Sequence, residues 1–259
     1  MSRAYLFFLG GTEWYDLGNP IFKRMKDLFR DDGNIVILPT ATSYPKSTGE
    51  SYGQFFRRNF SSNVNVVPLL ERRDSSQEGY IRSVEKADLV FFTGGNQYRL
   101  IKALRDTPVN DVLINKLDEE VLIGGTSAGA MVLGDIAILN TECTGLDEDD
   151  VEWDYGLDLI RRVTVDTHFV MRKRLWRFLC LLSKFPENIG IGIAEDTSVI
   201  YDTYRREFEV LGDDYVLLIE PPYQRSPKNG KTERYGYKVH VLTDGATFSV
   251  TRGARVFFR

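Results

Sequence analysis

The chain has 259 residues, of which 42% are hydrophobic and 27% are charged, and its formal net charge at pH 7 is −4. A chain of this length and ordinary globular composition can bury one sizeable core, so we expect a single domain over residues 1–259. Because the basic residues are scattered through a slightly acidic chain, neither nucleic acid nor a membrane surface is an expected partner.

The chain begins with an apolar run over residues 4–9 that predicts a first strand. This run is too short for a signal-peptide core followed by a small-residue cleavage site. No apolar stretch of the sequence approaches the ~20 residues that a membrane helix needs. The two cysteines, Cys143 and Cys180, have neither zinc-site nor disulfide-framework spacing. We therefore expect a soluble, cytoplasmic protein without a metal.

The first two thirds of the chain alternate short apolar runs with segments of helical periodicity. This alternation is typical of βα units that build a mostly parallel sheet covered by helices. The predicted strands cover residues 4–9, 34–38, 64–69, 88–92 and 121–124, and the predicted helices cover residues 21–29, 50–59, 97–104 and 109–117. The fold class that we expect is a three-layer α/β sandwich.

The pattern changes towards the C-terminus, where a strand-like run over residues 162–167 precedes a basic helix predicted over residues 171–184. Further strands are predicted over residues 189–193, 198–201, 215–219, 238–242 and 248–257, and we expect them to extend the same sheet. The polar stretch 221–231 is typical of a hairpin loop rather than of a domain boundary.

Turns rich in Gly, Thr and Ser follow several of the predicted strands, over residues 10–12, 39–43, 93–96 and 124–127. The carboxyl ends of parallel strands form the ligand crevice of such sheets. We therefore expect these turns to meet at one edge of the sheet and to carry the functional site.

The sharpest local signal is the segment Gly125-Thr-Ser-Ala-Gly129, directly after an apolar strand and before a helical segment. Small residues around Ser127 permit a tight turn that lifts its hydroxyl above the sheet edge, at a helix N-terminus. The pattern favours a nucleophile elbow with Ser127 as the nucleophile. An ordinary strand–turn–helix junction, in which Ser127 only caps the helix, remains the alternative.

A nucleophilic serine needs a base, and the sequence contains two histidines. His240 lies in an alternating strand pattern and is interpreted as a surface or lightly buried residue. His168 follows a predicted strand and precedes a helix, so it can share the sheet edge with Ser127. We predict that His168 is the general base, with a structural loop histidine as the alternative.

Acyl transfer also needs a carboxylate that orients the imidazolium and amides that hold the oxyanion. For the oxyanion, the Gly94–Gly95 pair and the amide of Ala128 are the candidates. The residues alone leave four candidates for the carboxylate: Glu195, Asp166, Glu142 and Asp196.

Three arginines follow His168 on the predicted basic helix: Arg172, Arg174 and Arg177. Arg174 and Arg177 are three residues apart and so share a helix face. Because a guanidinium can pair with both oxygens of a carboxylate, the arginines favour an acidic substrate. The alternative is a solvated basic face.

Three segments taken together resemble the serine-peptidase family that contains dipeptidase E and cyanophycinase, with the cyanophycinase branch nearer. They are Phe91-Phe-Thr-Gly-Gly-Asn-Gln-Tyr-Arg-Leu100, Gly125-Thr-Ser-Ala-Gly-Ala130 and Val165-Asp-Thr-His-Phe-Val-Met-Arg-Lys-Arg-Leu-Trp-Arg-Phe178. A fourth segment, Gly190-Ile-Gly-Ile-Ala-Glu-Asp-Thr197, is similar to the glycine-rich strand and acidic turn of that group. The match runs in order over most of the chain.

The resemblance implies a flavodoxin-like or class I glutamine-amidotransferase-like fold, a homodimer, and no metal or organic cofactor. It implies Ser127 as nucleophile, His168 as base, Glu195 as third triad member, and a short acidic peptide as the substrate. It also places further residues around an aspartyl or β-aspartyl residue of that substrate: Gln97, Asp166, Arg172, Arg174 and Arg177.

Two positions qualify this resemblance. The cyanophycinase pattern has Asp-Gln-His, whereas this chain has Asp166-Thr-His168, so the short hydroxyl of Thr167 replaces a substrate-facing amide. This exchange argues against a preference for the cyanophycin polymer. The dipeptidase E branch takes its carboxylate from the segment soon after the nucleophile, where this chain has Glu142, but we predict Glu195.

The leading hypothesis is hydrolysis of a peptide or isopeptide bond next to an aspartyl-type residue through an acyl-enzyme on Ser127. An amidase or acyltransferase acting on another acyl group is the first alternative, because a fold does not fix its function. A catalytically silent protein that binds a small ligand is the second alternative. The presence of Ser127, His168 and Glu195 together argues against it.

Overall fold

The computed structural model describes residues 3–11, 17–139, 151–228, 231–250 and 256–258. The strands in this part of the chain are β1 (Tyr5–Leu9), β2 (Ile35–Leu38), β3 (Val64–Val66), β4 (Leu89–Phe92), β5 (Leu122–Thr126), β6 (Gly134–Ile138), β7 (Trp153–Tyr155), β8 (Ile160–Thr167), β9 (Ile189–Ile193), β10 (Thr197–Asp202), β11 (Glu207–Gly212), β12 (Val216–Glu220), β13 (Gln224–Lys228), β14 (Lys231–Tyr235), β15 (Lys238–Leu242), β16 (Thr247–Val250) and β17 (Val256–Phe258). The α-helices are α1 (Pro20–Leu28), α2 (Pro45–Asn59), α3 (Glu78–Glu85), α4 (Gln97–Leu104), α5 (Pro108–Asn115), α6 (Ala128–Met131) and α7 (Leu175–Lys184).

The larger sheet has nine strands in the order β17-β16-β11-β10-β1-β5-β4-β2-β3. Strands β1, β5, β4, β2 and β3 pair in parallel, as the alternation of strands and helices predicted. Strands β10, β11, β16 and β17 add an antiparallel half on the other side of β1. The sheet is therefore mixed, with β1 at the junction of its two halves.

A second sheet has six strands in the order β15-β12-β9-β8-β6-β7. The expectation that all C-terminal strands extend one sheet is therefore wrong for β9, β12 and β15. Strand β9 is buried on both of its faces. Its isoleucines belong to the core cluster shared with the larger sheet, and its glycines face the opposite side. Side chains at Gly190 and Gly192 would collide there with Phe178 and Phe169, so α7 packs closely on this face.

Helices cover both faces of the larger sheet. Successive residues of a strand point to opposite faces, so β1 contributes side chains to a core on each side. Phe7 and Leu9 of β1 join a core cluster with Phe22 of α1 and residues of α2. Leu6 and Phe8 join a second cluster, formed with α3, α4, α5, α6 and the second sheet. The expected α/β sandwich is confirmed at this level, while its flavodoxin-like topology and the single domain stay predictions.

Three local predictions differ from the structure. The basic helix begins at Leu175 rather than at residue 171, after a turn in which Lys173 has a φ of 51°. The stretch predicted as the loop 221–231 contributes to a hairpin formed by β13 and β14. The predicted strand 248–257 corresponds to parts of β16 and β17, and residues 251–255 lie outside the described ranges.

Across the described part of the chain, every helix is too short or too polar to cross a bilayer.

Candidate active site

Ser127 lies at the sharp turn between β5 and α6, with a φ of 52° and a ψ of −120°. This conformation is strained for a residue with a side chain, and such strain is concentrated at functional sites. Added side chains would overlap the Gly129 carbonyl at Gly125 and the Phe92 carbonyl at Gly129. The two glycines of the elbow are therefore required by close approach of the backbone.

Ser127 occupies the N-cap position of α6, but its side chain accepts no hydrogen bond from that helix. Its Oγ atom lies 2.9 Å from Nε2 of His168 instead. The geometry thus favours a serine engaged by an imidazole over the capping alternative.

Glu195 completes this line of hydrogen bonds. Its Oε1 atom lies 2.8 Å from Nδ1 of His168. Of the other three candidates for this position, Asp166 pairs with arginines elsewhere, Asp196 directly follows Glu195, and Glu142 lies outside the described residues. The structure therefore brings Ser127, His168 and Glu195 together in the order that acyl transfer requires.

Backbone hydrogen bonds at the end of β1 hold the three segments that carry Ser127, His168 and Glu195. The carbonyl oxygens of Leu9 and Gly10 accept hydrogen bonds from the amides of Ser127 and His168, at 3.0 and 2.9 Å. The carbonyl oxygen of Gly11 accepts one from Asp196, next to Glu195, at 2.8 Å. Three consecutive residues of one strand end thus fix the relative positions of the site.

His168 is partly buried, and burial lowers its pKa below the ordinary value of 6.5. The hydrogen bond that His168 donates to Glu195 opposes this effect, whereas the positive charge of Arg172 adds to it. A lowered pKa keeps the imidazole neutral near pH 7. The ring is therefore in the form that can accept a proton from Ser127.

A cavity of about 690 Å³ opens over these residues. Arg172 and Met171 line its wall, and both residues are exposed. Asp196 and Asp214 also line the cavity. Besides Glu195, the cavity therefore presents one cation and two carboxylates near Ser127.

The arginines predicted to share a helix face have a different setting. Arg174 and Arg177 are buried, and both pair with Asp166, whose side chain is fully buried, at 2.8 and 2.6 Å. Arg174 also donates a 2.6 Å hydrogen bond to the carbonyl oxygen of Thr167. The alternative of a solvated basic face is wrong for these two residues, and only Arg172 of the three lines the cavity.

Two other residues predicted to bind substrate are also buried. Gln97 donates hydrogen bonds to the carbonyl oxygens of Ile138 and Leu139, at 2.6 and 3.0 Å. Thr167 is fully buried in β8. The lining of the catalytic cavity does not include Gln97, Thr167 or the Asp166–Arg174–Arg177 cluster. Direct contact of these residues with substrate stays a prediction.

The model of peptidase family S51 matches residues 6–206 of this chain. The chain belongs to peptidase family S51. It is accordingly a serine-type peptidase, and the family resemblance seen in the sequence is confirmed.

Curated relatives carry the name cyanophycinase. The protein of Geminocystis herdmanii is 31% identical over 258 residues, covering 95% of this chain and 94% of the relative. The protein of Synechococcus elongatus is 30% identical over 227 residues, covering 85% of this chain and 70% of the relative.

Two solved structures with a similar fold are described as peptidases. A peptidase from an acI-B1 Actinobacterium has a TM-score of 0.67 and 23% identity, covering 91% of this chain and 97% of the other. A putative peptidase E protein from Listeria monocytogenes has a TM-score of 0.52 and 15% identity, and the match covers 83% of this chain and 100% of the other. At these identities the likeness concerns the fold.

Several features of this S51 site were not predicted. Gly10 and Gly11 lie in a turn predicted at the functional edge, but the sequence indicates no role for them, because their contribution is made by backbone carbonyl groups that every residue has. Asp214 was not singled out, since it lies in a polar turn far along the chain. The nearest signal was the acidic pair Asp213–Asp214 just before an apolar strand. His240, interpreted as lightly buried, is partly buried in β15 and lies 3.0 Å from Glu220.

Proposed function

We propose that this S51 peptidase hydrolyses peptide or isopeptide bonds next to aspartyl or β-aspartyl residues in short peptides. The observation that carries the proposal is the line of hydrogen bonds from Ser127 through His168 to Glu195, at 2.9 and 2.8 Å, on the wall of an open cavity. Relatives named cyanophycinase support the choice of an aspartyl-type substrate.

The reaction would proceed through an acyl-enzyme. His168 takes the hydroxyl proton as Ser127 Oγ attacks the carbonyl carbon, and the C–N bond then breaks as His168 returns the proton to the leaving amine. A water molecule then attacks the ester carbonyl carbon as His168 takes its proton, and the ester C–O bond breaks as His168 returns that proton to Ser127 Oγ. Glu195 holds the imidazole in the tautomer that leaves Nε2 free to accept a proton, and it stabilises the imidazolium.

The oxyanion would be held by the backbone amides of Gly95 and Ala128. Ala128 follows the nucleophile at the first position of α6, and the neighbouring Gly94 lies against Ser127. Gly95 has a φ of 142°, and a side chain there would overlap the Ala41 carbonyl. Glycine is therefore needed for the turn to take this path beside Ser127.

The charges around the cavity fit a small zwitterion. Arg172 would bind the carboxylate of the aspartyl-type residue, because a guanidinium pairs with both carboxylate oxygens. Asp196 and Asp214 would face an ammonium or guanidinium group of the same peptide. A free dipeptide carries both kinds of charge, which supports a preference for short substrates.

The test is release of free amine from a matched set of Asp-X, isoAsp-X and β-Asp-Arg dipeptides, with Ser127→Ala as the blank. Serine-dependent turnover of one linkage would support the proposal and name the bond. Turnover confined to other amides or esters would instead favour an amidase or acyltransferase. No turnover by folded protein would favour a ligand-binding protein.

The assembly and location expected from the sequence are also proposals. A homodimer would give twice the mass of 29.7 kDa in light scattering, whereas a monomer would contradict it. Cell fractionation would test the cytoplasmic location.

A further inference from the structure

A second and larger cavity, of about 1160 Å³, lies beside the active site. The turn Gly94–Asn96 separates the two, because Gly94 lines the catalytic cavity and Asn96 lines the second one. Two residues of extended chain span at most about 7 Å. A peptide held at Ser127 can therefore reach the second cavity with a few further residues.

The second cavity has an excess of positive charge, although the whole chain has a net charge of −4. Two more cations than carboxylates line it. The cations are Arg72, Arg73, Arg99, Lys102 and Arg105, and the carboxylates are Glu71, Asp106 and Asp154.

Two of these cations pair with carboxylates, and a third uses two of its guanidinium nitrogens on main-chain carbonyl oxygens. Arg105 pairs with Asp154 at 3.4 Å and with Asp106 at 3.5 Å, and Arg73 pairs with Glu71 at 2.9 Å. Arg72 donates to two main-chain carbonyl oxygens. These contacts use up the carboxylates that line the cavity.

Arg99 and Lys102 are the remaining cations, three residues apart on one face of α4 and both exposed. Within the described ranges, neither has a carboxylate partner; Arg99 donates to the carbonyl oxygen of Thr42 at 2.9 Å. Thr40 also lines the cavity, and its buried hydroxyl has no hydrogen-bond partner in the same part of the chain. The wall nearest the active site thus offers unneutralised donors.

We infer that this basic cavity binds the acidic part of a peptide substrate beyond the scissile bond. The inference rests on the proposed function and extends it from a dipeptide to a peptide with an acidic extension. Carboxylates of such an extension would pair with Lys102 and Arg99, while the catalytic cavity holds the aspartyl residue that is cleaved.

The test measures binding and turnover separately. A dipeptide substrate is extended at either end by three Asp residues or, as a neutral match, three Asn residues, and titrated calorimetrically into Ser127→Ala. Lys102→Glu and the control Lys23→Glu are each combined with Ser127→Ala. Lys23 is an exposed lysine of α1, on the opposite face of the larger sheet.

We expect one Asp-extended peptide to bind more tightly than its Asn match, and Lys102→Glu to weaken it about five- to tenfold. Lys23→Glu should leave its affinity unchanged. Equal affinities for Asp and Asn extensions, or equal effects of the two lysine variants, would overturn the inference. So would Lys102-dependent binding of inorganic phosphate without any gain from the acidic extension, since the cavity would then take a free anion.

Hydrolysis by the wild-type protein separates this inference from the proposed function. Turnover of the dipeptide with no effect of an extension on binding or KM would overturn the basic-cavity inference and leave the proposed function standing. Lys102-dependent binding of the Asp extension without turnover of any peptide would support the cavity and overturn the proposed specificity.

Discussion

The backbone amide of His168 donates a 2.9 Å hydrogen bond to the carbonyl oxygen of Gly10, at the end of β1. The adjacent carbonyls of Leu9 and Gly11 hold Ser127 and Asp196 in the same way. The three residues whose amides are held also have positive φ angles, between 49° and 52°. One strand end thus constrains three strained turns that come from distant parts of the chain.

The contact between Gly11 and the imidazole predicts a selective loss of activity. A side chain at position 11 would overlap the His168 ring, and the φ of Gly11 is 121°. Gly11→Ala should therefore displace the ring and lower kcat about 100-fold, the effect of a misplacement of about 1 Å. Steady-state kinetics with a dipeptide substrate measure this change. Retained kcat in Gly11→Ala would mean that the ring position is not set by this contact.

The close packing of Gly129 in the elbow predicts that a side chain at this position lowers the free energy of unfolding. Gly129→Ala would force a methyl group into the Phe92 carbonyl and should destabilise the protein by about 1–3 kcal/mol. Gly79→Ala is the matched control, because Gly79 lies exposed within α3 with open space around it. It should stabilise the protein by about 0.5–1 kcal/mol. Urea unfolding monitored by circular dichroism compares the two, and equal midpoints would contradict the account of the elbow.

The pKa of His168 predicts how activity depends on pH. Only the neutral imidazole accepts the serine proton, so kcat/KM should rise with pH through the pKa of His168. Since burial and the charge of Arg172 lower this pKa, the midpoint should lie below 6.5. The measurement is kcat/KM of a dipeptide substrate across the acidic range.

Two variants should move this midpoint in opposite directions. Arg172→Gln removes a positive charge and should raise the pKa of His168, whereas Glu195→Gln removes the negative charge that stabilises the imidazolium and should lower it. Glu195→Gln should also reduce kcat, by up to about 10⁴-fold if the imidazole takes the wrong tautomer. Shifts of the same sign would refute this account of the site's electrostatics, and an unreduced kcat in Glu195→Gln would move the third role to Glu142.

The buried ion cluster predicts a structural role for Asp166. Asp166→Asn leaves Arg174 and Arg177 buried without a compensating charge, and should destabilise the protein by about 3–5 kcal/mol. Glu78→Gln is the control, because Glu78 and Arg82 form an exposed pair worth less than about 1 kcal/mol. Thermal unfolding compares the two variants. A fully stable Asp166→Asn with a raised KM would instead support the substrate contact that the family resemblance implies.

Much of the fold was predictable because βα units leave a clear pattern. A strand buried on both faces, such as β4, is an apolar run, and helices between such runs make the strands parallel. The partners of β9 were not predictable, since an alternation of isoleucine and glycine does not specify which strands pair with it. The position of β9 in the second sheet depends on tertiary packing, such as the contact of Gly190 with Phe178 of α7.

The site was predictable where a side chain carries the signal. Ser127 and His168 stand out because an elbow motif is local and only two histidines occur in the chain. The settings of Arg174 and Arg177 were not predictable, because the helix begins only at Leu175 and both guanidinium groups pair with the buried Asp166. The role of Gly10 lies in its carbonyl group, which every residue has.

Labelling with a serine-directed fluorophosphonate tests most directly whether His168 activates Ser127 as the nucleophile. Intact mass and peptide mapping of the wild-type protein should show one adduct, located on Ser127. The adduct should be absent from Ser127→Ala and strongly reduced in His168→Ala, with both variants folded by circular dichroism. A folded wild-type protein that takes no label, or a Ser127→Ala variant labelled as fully as the wild type, would contradict this activation.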